Sequence, residues 1–277
     1  MTLARLAALT ALLLAPLSLA QPAAPAPLTH WGRYTLQFTP RPSPDDGTGT
    51  ARLTLRDGTR TVLTVSEWDV QAELQPLRPG GQPELVVTAY SGGAHCCFTY
   101  LMYTQDQGAL ENLGVLNGTN YGARFADLNG DGTREIIVGL DNLAYYDWSF
   151  AGSPGMQAVL GWDGVRLADR TRAYPYVPAQ EAARNLERLR NNLADPTLEG
   201  LEGLAASASG YLDNMLLAGR GVEAERLLQT QIFPKSPALQ RWFAAHRGDV
   251  IGAIYGQPEA RLSILTGPVW PPKKTTP

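Results

Sequence analysis

The chain has 277 residues, 44% hydrophobic and 18% charged, with 23 Lys+Arg against 26 Asp+Glu and a formal net charge of −3. That composition supports a sizeable core in one domain or two. The mildly acidic balance, without a basic block, argues against nucleic acid or anionic lipid as a partner. The only two cysteines, Cys96 and Cys97, are adjacent, which excludes a disulfide framework.

Residues 1–20 read as a secretory signal peptide. Arg5 supplies the positive start, Leu6 to Leu14 are apolar apart from Thr10, and Ser18-Leu19-Ala20 offers a small-x-small cleavage site. The apolar run is too short for a transmembrane helix, so no integral membrane segment is expected after cleavage. No cysteine follows the cleavage point to carry a lipid. The protein is therefore expected to be exported, to the periplasm, the cell envelope or the medium. Residues 21–30 form a spacer that opens with the Pro/Ala run QPAAPAP.

A β domain is expected over 31–175. Tyr34, Leu36 and Phe38 alternate with Thr35 and Gln37, the period of a half-buried strand. Leu53 and Leu55, then Asp57-Gly58, then Val62, Leu63 and Val65 predict a hairpin around an Asp-Gly turn. Leu85-Val86-Val87 and Ile136-Ile137-Val138 suit buried strands.

After Ser91-Gly92-Gly93 comes His95-Cys96-Cys97, which leaves three readings open. The thiols are reduced and packed as small hydrophobes, or they form a vicinal disulfide, or His95, Cys96 and Cys97 take part in a Cu or Zn site. Adjacent Cα atoms lie about 3.8 Å apart, below the usual disulfide range, so a bonded pair would be strained and redox-responsive. Three consecutive residues cannot close a tetrahedral metal site, since neighbours on a strand point to opposite faces. Neither a nucleophile elbow nor a P-loop, dinucleotide or HExxH motif occurs.

Asp127 to Glu135, DLNGDGTRE, carries the clearest chemistry. Asp127, Asn129 and Asp131 place side-chain oxygens at positions 1, 3 and 5 of a tight loop. Gly132 stands where the turn needs positive φ, the Thr133 carbonyl is at position 7, and Glu135 is at position 9. This spacing predicts a Ca²⁺ loop whose cation cancels carboxylate repulsion and pins a hairpin. An EF-hand would need a carboxylate at position 12, where Val138 stands, so two flanking strands are expected instead. A shift of 51 residues lays Glu135 to Val138 on Glu84 to Val87, Gly132 on Gly81 and Phe125 on Leu74. The ligand positions then fall on Pro76, Arg78 and Gly80. The segments read as two copies of one repeat, one of them without ligands.

The aromatic run Tyr145 to Phe150 suits either a strand edge packed on the core or a glycan or peptide groove. Trp162-Asp163-Gly164 reads as a hairpin turn. A helical region is expected over 179–262. Its segments are Ala179 to Asn192, Leu198 to Ala218 and Val222 to Ile232, with a fourth opened by Ser236-Pro237. Residues 266–277 read as a disordered tail. The fold class is α+β: an N-terminal antiparallel β domain of partial propeller-like repeats, then helices.

The stretch YGARFADLNGDGTREIIVGL resembles the FG-GAP or VCBS repeats of integrin-α-type β-propellers, where a D-x-[DN]-x-D-G loop inside a hairpin binds Ca²⁺. The ensemble PELVVTAYSGGAHCC, ADLNGDGTREII, AYYDWSFAGSP and VLGWDGVRLAD, over roughly 80–170, resembles exported bacterial proteins without assigned activity. The resemblance implies a fold, an exported location and a bound Ca²⁺, not a reaction. The leading expectation is a non-enzymatic structural or interaction protein with a protein or glycan partner. A redox or metal-handling protein using His95, Cys96 and Cys97 is the alternative, and an exported hydrolase the third.

Overall fold

A computed structural model describes residues 28–42, 49–93, 96–194 and 200–263. The expected signal peptide, most of the spacer and the tail lie outside the described residues, as does His95.

Among the described residues, three antiparallel sheets follow one another along the chain, each a meander of consecutive strands. The first holds β1 (His30–Trp31), β2 (Tyr34–Thr39), β3 (Ala51–Asp57) and β4 (Arg60–Glu67). The second holds β5 (Asp69–Gln75), β6 (Glu84–Gly93), β7 (Cys96–Asp106) and β8 (Ala109–Thr119). The third holds β9 (Ala123–Ala126), β10 (Glu135–Leu140), β11 (Met156–Trp162) and β12 (Leu167–Asp169). The β3–β4 hairpin turns one residue later than expected. Asp57 pairs with Arg60, which makes Gly58 and Thr59 the turn residues, and Gly58 takes the positive φ of +58°.

The second sheet is buried on both faces, and period-two alternation sorts its side chains. Leu85, Val87, Ala89, Leu101, Tyr103 and Val115 share a core with Leu36, Leu53, Leu55, Leu63 and Val65 of the first sheet. Val86, Tyr100, Met102 and Leu116 share the other core with Ile136, Val138, Leu140, Ala158 and Leu160 of the third. The unbroken apolar run Leu85-Val86-Val87 thus supplies both cores from adjacent residues.

The helices follow. They are α1 (Tyr176–Ala194), α2 (Gly200–Leu217), α3 (Gly221–Leu227), α4 (Pro237–Gly252) and the short α5 (Gln257–Ala260). The fold is α+β with its helices C-terminal. Helix α1 starts ahead of the expected Ala179, because Pro178 fits the first turn, where its missing N–H leaves nothing unpaired. The stretch expected as one helix to Ile232 leaves α geometry at Leu228 and runs on as a π turn, Leu228–Ile232. Ser236 caps α4, its hydroxyl accepting the Leu239 N–H at 3.3 Å, with Pro237 in the first turn. Helix α2 is buried almost all round, and its run Ala205 to Gly210 lets neighbours approach closely. A Cβ at Gly210 would overlap Pro154 and Asn185. A final strand, β13 (Leu262–Ser263), returns the chain to the free edge of β8. No helix among the described residues is long and apolar enough to cross a membrane.

The aromatic run forms no strand, contrary to the strand-edge expectation. It runs through turns into a 3-10 turn, Phe150–Gly152. Tyr146 and Trp148 pack on Trp242 of α4, which explains aromatic content without strand pairing.

Candidate metal loop and the cysteine pair

Residues 127–134 join β9 to β10, so the loop sits inside a hairpin. Its side chains fold back on its own backbone. The Asp127 carboxylate accepts the Gly130 N–H at 2.7 Å and the Gly132 N–H at 3.0 Å. The Asn129 carbonyl accepts the Asp131 N–H at 3.0 Å, and its amide donates to Asp131 at 2.8 Å. Asp131 accepts the Thr133 N–H at 2.7 Å. The Thr133 N–H and the Asn129 amide hold the Asp131 carboxyl below the usual carboxylate range. Gly132 has φ of +86°, with nothing near the place a Cβ would occupy, so its requirement is conformational.

Asp127, Asn129 and Asp131 are exposed, while Thr133 is buried. Two carboxylates, an amide oxygen and the Thr133 carbonyl are the groups that could hold a hard cation. No group of three or more His, Cys, Asp or Glu arranged for a metal occurs among the described residues. Asp127, Asp131 and Glu135 do not make up such a group.

Glu135 is built differently from the exposed three. It is 6% exposed, and its two oxygens accept the Leu128 N–H at 2.9 Å and the Tyr174 hydroxyl at 2.6 Å. The other copy of the repeat explains it. Glu84 is fully buried and accepts the Leu77 N–H at 2.8 Å. The strand registers also match: Gln75 faces Glu84 as Ala126 faces Glu135. Both loops therefore close on a buried glutamate that accepts the N–H seven residues before it. That bond needs no metal, because the copy lacking the other ligands makes it too. Glu135 anchors the loop through its two hydrogen bonds, from the Leu128 N–H and the Tyr174 hydroxyl.

The copies differ in what neutralises the glutamate. Arg78, one of the residues that replace the ligands, donates from Nε to Glu84 at 2.7 Å and also to Thr104. Glu135 has no ion pair among the described residues. The two loops touch, through Arg134 N–H to the Pro76 carbonyl at 2.7 Å and the Arg134 guanidinium to Gln75 at 2.9 Å. Tyr174 and Tyr176 complete the site, the latter donating to the Leu128 carbonyl at 3.0 Å. Neither carried a signal in the sequence, since both come from the entrance to α1.

The cysteines lie on the far hairpin, β6–β7, where Cys96 opens β7. Cys97 is disulfide-bonded, and the sequence holds one other cysteine, Cys96. The Cys97 N–H donates to the Ser91 hydroxyl at 2.8 Å, and the Tyr90 hydroxyl donates to the Gly93 carbonyl at 2.6 Å. A Cβ at Gly92 would overlap the Trp68 indole, over which the Arg41 guanidinium lies 3.6 Å from the ring centroid. The expected metal-ligand grouping of His95 with both cysteines lies partly outside the described residues.

The chain matches no protein-family model, no curated protein and no solved structure. Its functional reading rests on its own residues.

Proposed function

We propose that this is an exported, non-enzymatic interaction protein whose β surface is stiffened by Ca²⁺ held at Asp127, Asn129, Asp131 and the Thr133 carbonyl, in the manner of an FG-GAP or VCBS repeat. The observation that carries the reading is the contrast between the two copies. The first neutralises its buried glutamate with Arg78. The second carries Asp127, Asp131 and Glu135 along its loop with no cationic side chain paired to them among the described residues. A bound divalent cation would supply that missing charge. The three consecutive meanders support a partial propeller-like stack, and residues 1–20 support export. The partner class is a protein or a glycan.

Calcium titration followed by thermal melting tests the loop. Ca²⁺ is expected to raise Tm, EDTA to reverse the rise, and Asp131→Ala to abolish it. A wild-type Tm indifferent to both Ca²⁺ and EDTA overturns the reading.

The disulfide at Cys97 favours a second reading, in which a dithiol reductant opens the pair. Thiol counting under denaturing conditions, on protein from its native compartment, separates the two. Two free thiols would remove the redox reading.

A further inference from the structure

We propose that the cleft on the outer face of the third sheet, between β9, β10 and α1, is a binding site for a carboxylate-bearing saccharide. The inference rests on the reading of the protein as a binding module and is independent of the calcium loop.

Three glycines line the cleft, Gly122, Gly139 and Gly155, and each is closely approached by a neighbouring side chain, Tyr100, Tyr121 and Glu181 in turn. Alternate residues of β10, Glu135, Ile137 and Gly139, share the outer face of the sheet. Tyr174 covers Glu135, and Tyr174 and Val177 cover Ile137. At Gly139 there is no side chain to cover, and Gly122 and Gly155 border the same place. The cleft has a volume of about 520 Å³, within the usual range for small-ligand sites. Gly139 also seats the Tyr121 ring against the sheet, because a Cβ at that glycine would overlap the Cβ of Tyr121.

The walls carry recognition chemistry of two kinds. Tyr121 and Phe150 lie nearly parallel, 22° between planes and 6.4 Å between centroids, and Tyr121 is 41% exposed. Flat aromatic faces suit the C–H face of a pyranose ring. Arg124 reaches in from β9 and Arg188 from α1. Neither guanidinium has a hydrogen bond or ion pair among the described residues. The one acid of the lining, Glu181, is paired with Arg184 at 2.8 Å. The cleft therefore holds two uncommitted positive charges on a chain whose net charge is −3. A guanidinium receives a carboxylate through two parallel N–H donors, and Gln157 lines the same cleft. Burial and the neighbouring Asp141 carboxylate push the Tyr121 phenol up, Arg188 opposes the shift and Glu181 adds to it. Two cations are too few for a nucleic acid track. A ring-bearing, singly or doubly charged ligand uses both wall chemistries at once.

The test is calorimetric titration of the full mature chain, with and without EDTA. The probes are a galacturonate tetrasaccharide, its methyl ester and a tetraglutamate peptide. Binding of the free acid is expected, weakening with salt. Methyl esterification, Arg188→Gln and Arg124→Gln are each expected to weaken it about tenfold, or about 1.4 kcal/mol. Both arginines are exposed, and unchanged melting confirms that the variants fold. Equal binding of the ester, binding of the peptide alone, undiminished binding by both variants, or no saccharide binding at all overturns the proposal. Saccharide binding in EDTA by a protein whose Tm ignores Ca²⁺ would remove the calcium reading and leave this one. A calcium-dependent Tm without saccharide binding would do the reverse.

Discussion

Glu84 and Glu135 hold the same place in successive sheets, and their second oxygens set them apart. Glu84 meets Arg78, a half-buried guanidinium, and Glu135 meets the Tyr174 phenol. Removing either partner strands a buried acceptor, and the size of the effect depends on charge. Arg78→Met is expected to lower stability by about 3 kcal/mol, since it leaves a carboxylate at a fully buried position without its cation. Tyr174→Phe is expected to cost about 1–3 kcal/mol, the penalty for an unpaired buried acceptor. Urea denaturation of both variants checks the order. A Tyr174→Phe loss exceeding that of Arg78→Met would mean that Glu135 depends on its phenol more than Glu84 depends on its cation.

At the scale of the element, α2 is the least conventional. It is buried nearly all round, yet it carries Asp213, whose carboxylate oxygens have no hydrogen-bond partner among the described residues, near the likewise unpartnered hydroxyls of Ser207 and Ser209 in sequence. Burial raises the Asp213 carboxyl well above the ordinary aspartate range. The native state therefore keeps a proton that the unfolded chain releases. The contribution of this group is fully present below the ordinary aspartate pKa, and it falls as pH rises toward the native value. The loss is at most about 1.4 kcal/mol per pH unit for one proton. Asp213→Asn removes the ionisation and is expected to flatten this decline and raise Tm at neutral pH. Melting from pH 4 to 8, wild type against variant, checks it. Parallel pH profiles would show that Asp213 is not the group responsible. The small-residue run of α2 was legible in the sequence as a helix. The absence of a partner for Asp213 was not, because helical periodicity says which residues share a face and not what lies opposite.

Across the whole molecule, one core runs from the second sheet through the third into α2, α3 and α4. Polar contacts tie the same parts together. The Asn142 amide donates to the Ala253 carbonyl at 2.6 Å, Trp242 to Asp147 at 2.7 Å, and Tyr146 to Asp249 at 2.6 Å. Arg261 pairs with Asp141 at 2.7 Å, with side chains 9% and 13% exposed. Sheets and helices are accordingly expected to unfold together. Tryptophan fluorescence and far-ultraviolet circular dichroism should give one coincident transition, and two separated midpoints would refute a shared unit. Arg261→Ala, which removes the ion pair of Asp141 and leaves it the Asn120 amide, is expected to cost about 3 kcal/mol.

Local pattern in the sequence determined much of this protein. Period-two alternation located β2, an Asp-Gly turn the β3–β4 hairpin, and β-branched runs parts of β6 and β10, while β5, β7, β8 and β11 went unmarked. Helical spacing located the C-terminal helices within a few residues, and the oxygens at alternate positions marked the loop. The 51-residue shift lines up two loops that each close on a buried glutamate. All of these are short-range, and a chain carries them wherever it packs. Tertiary structure alone decided that Glu135 bonds the Leu128 N–H and the Tyr174 hydroxyl, that Tyr174 and Tyr176 brace the loop, and that Tyr121 seats against Gly139 beside a cleft. These depend on which sheet or helix stacks on which. Partners such as Glu135 and Tyr174, 39 residues apart, or Asp141 and Arg261, 120 apart, meet only after that order is set.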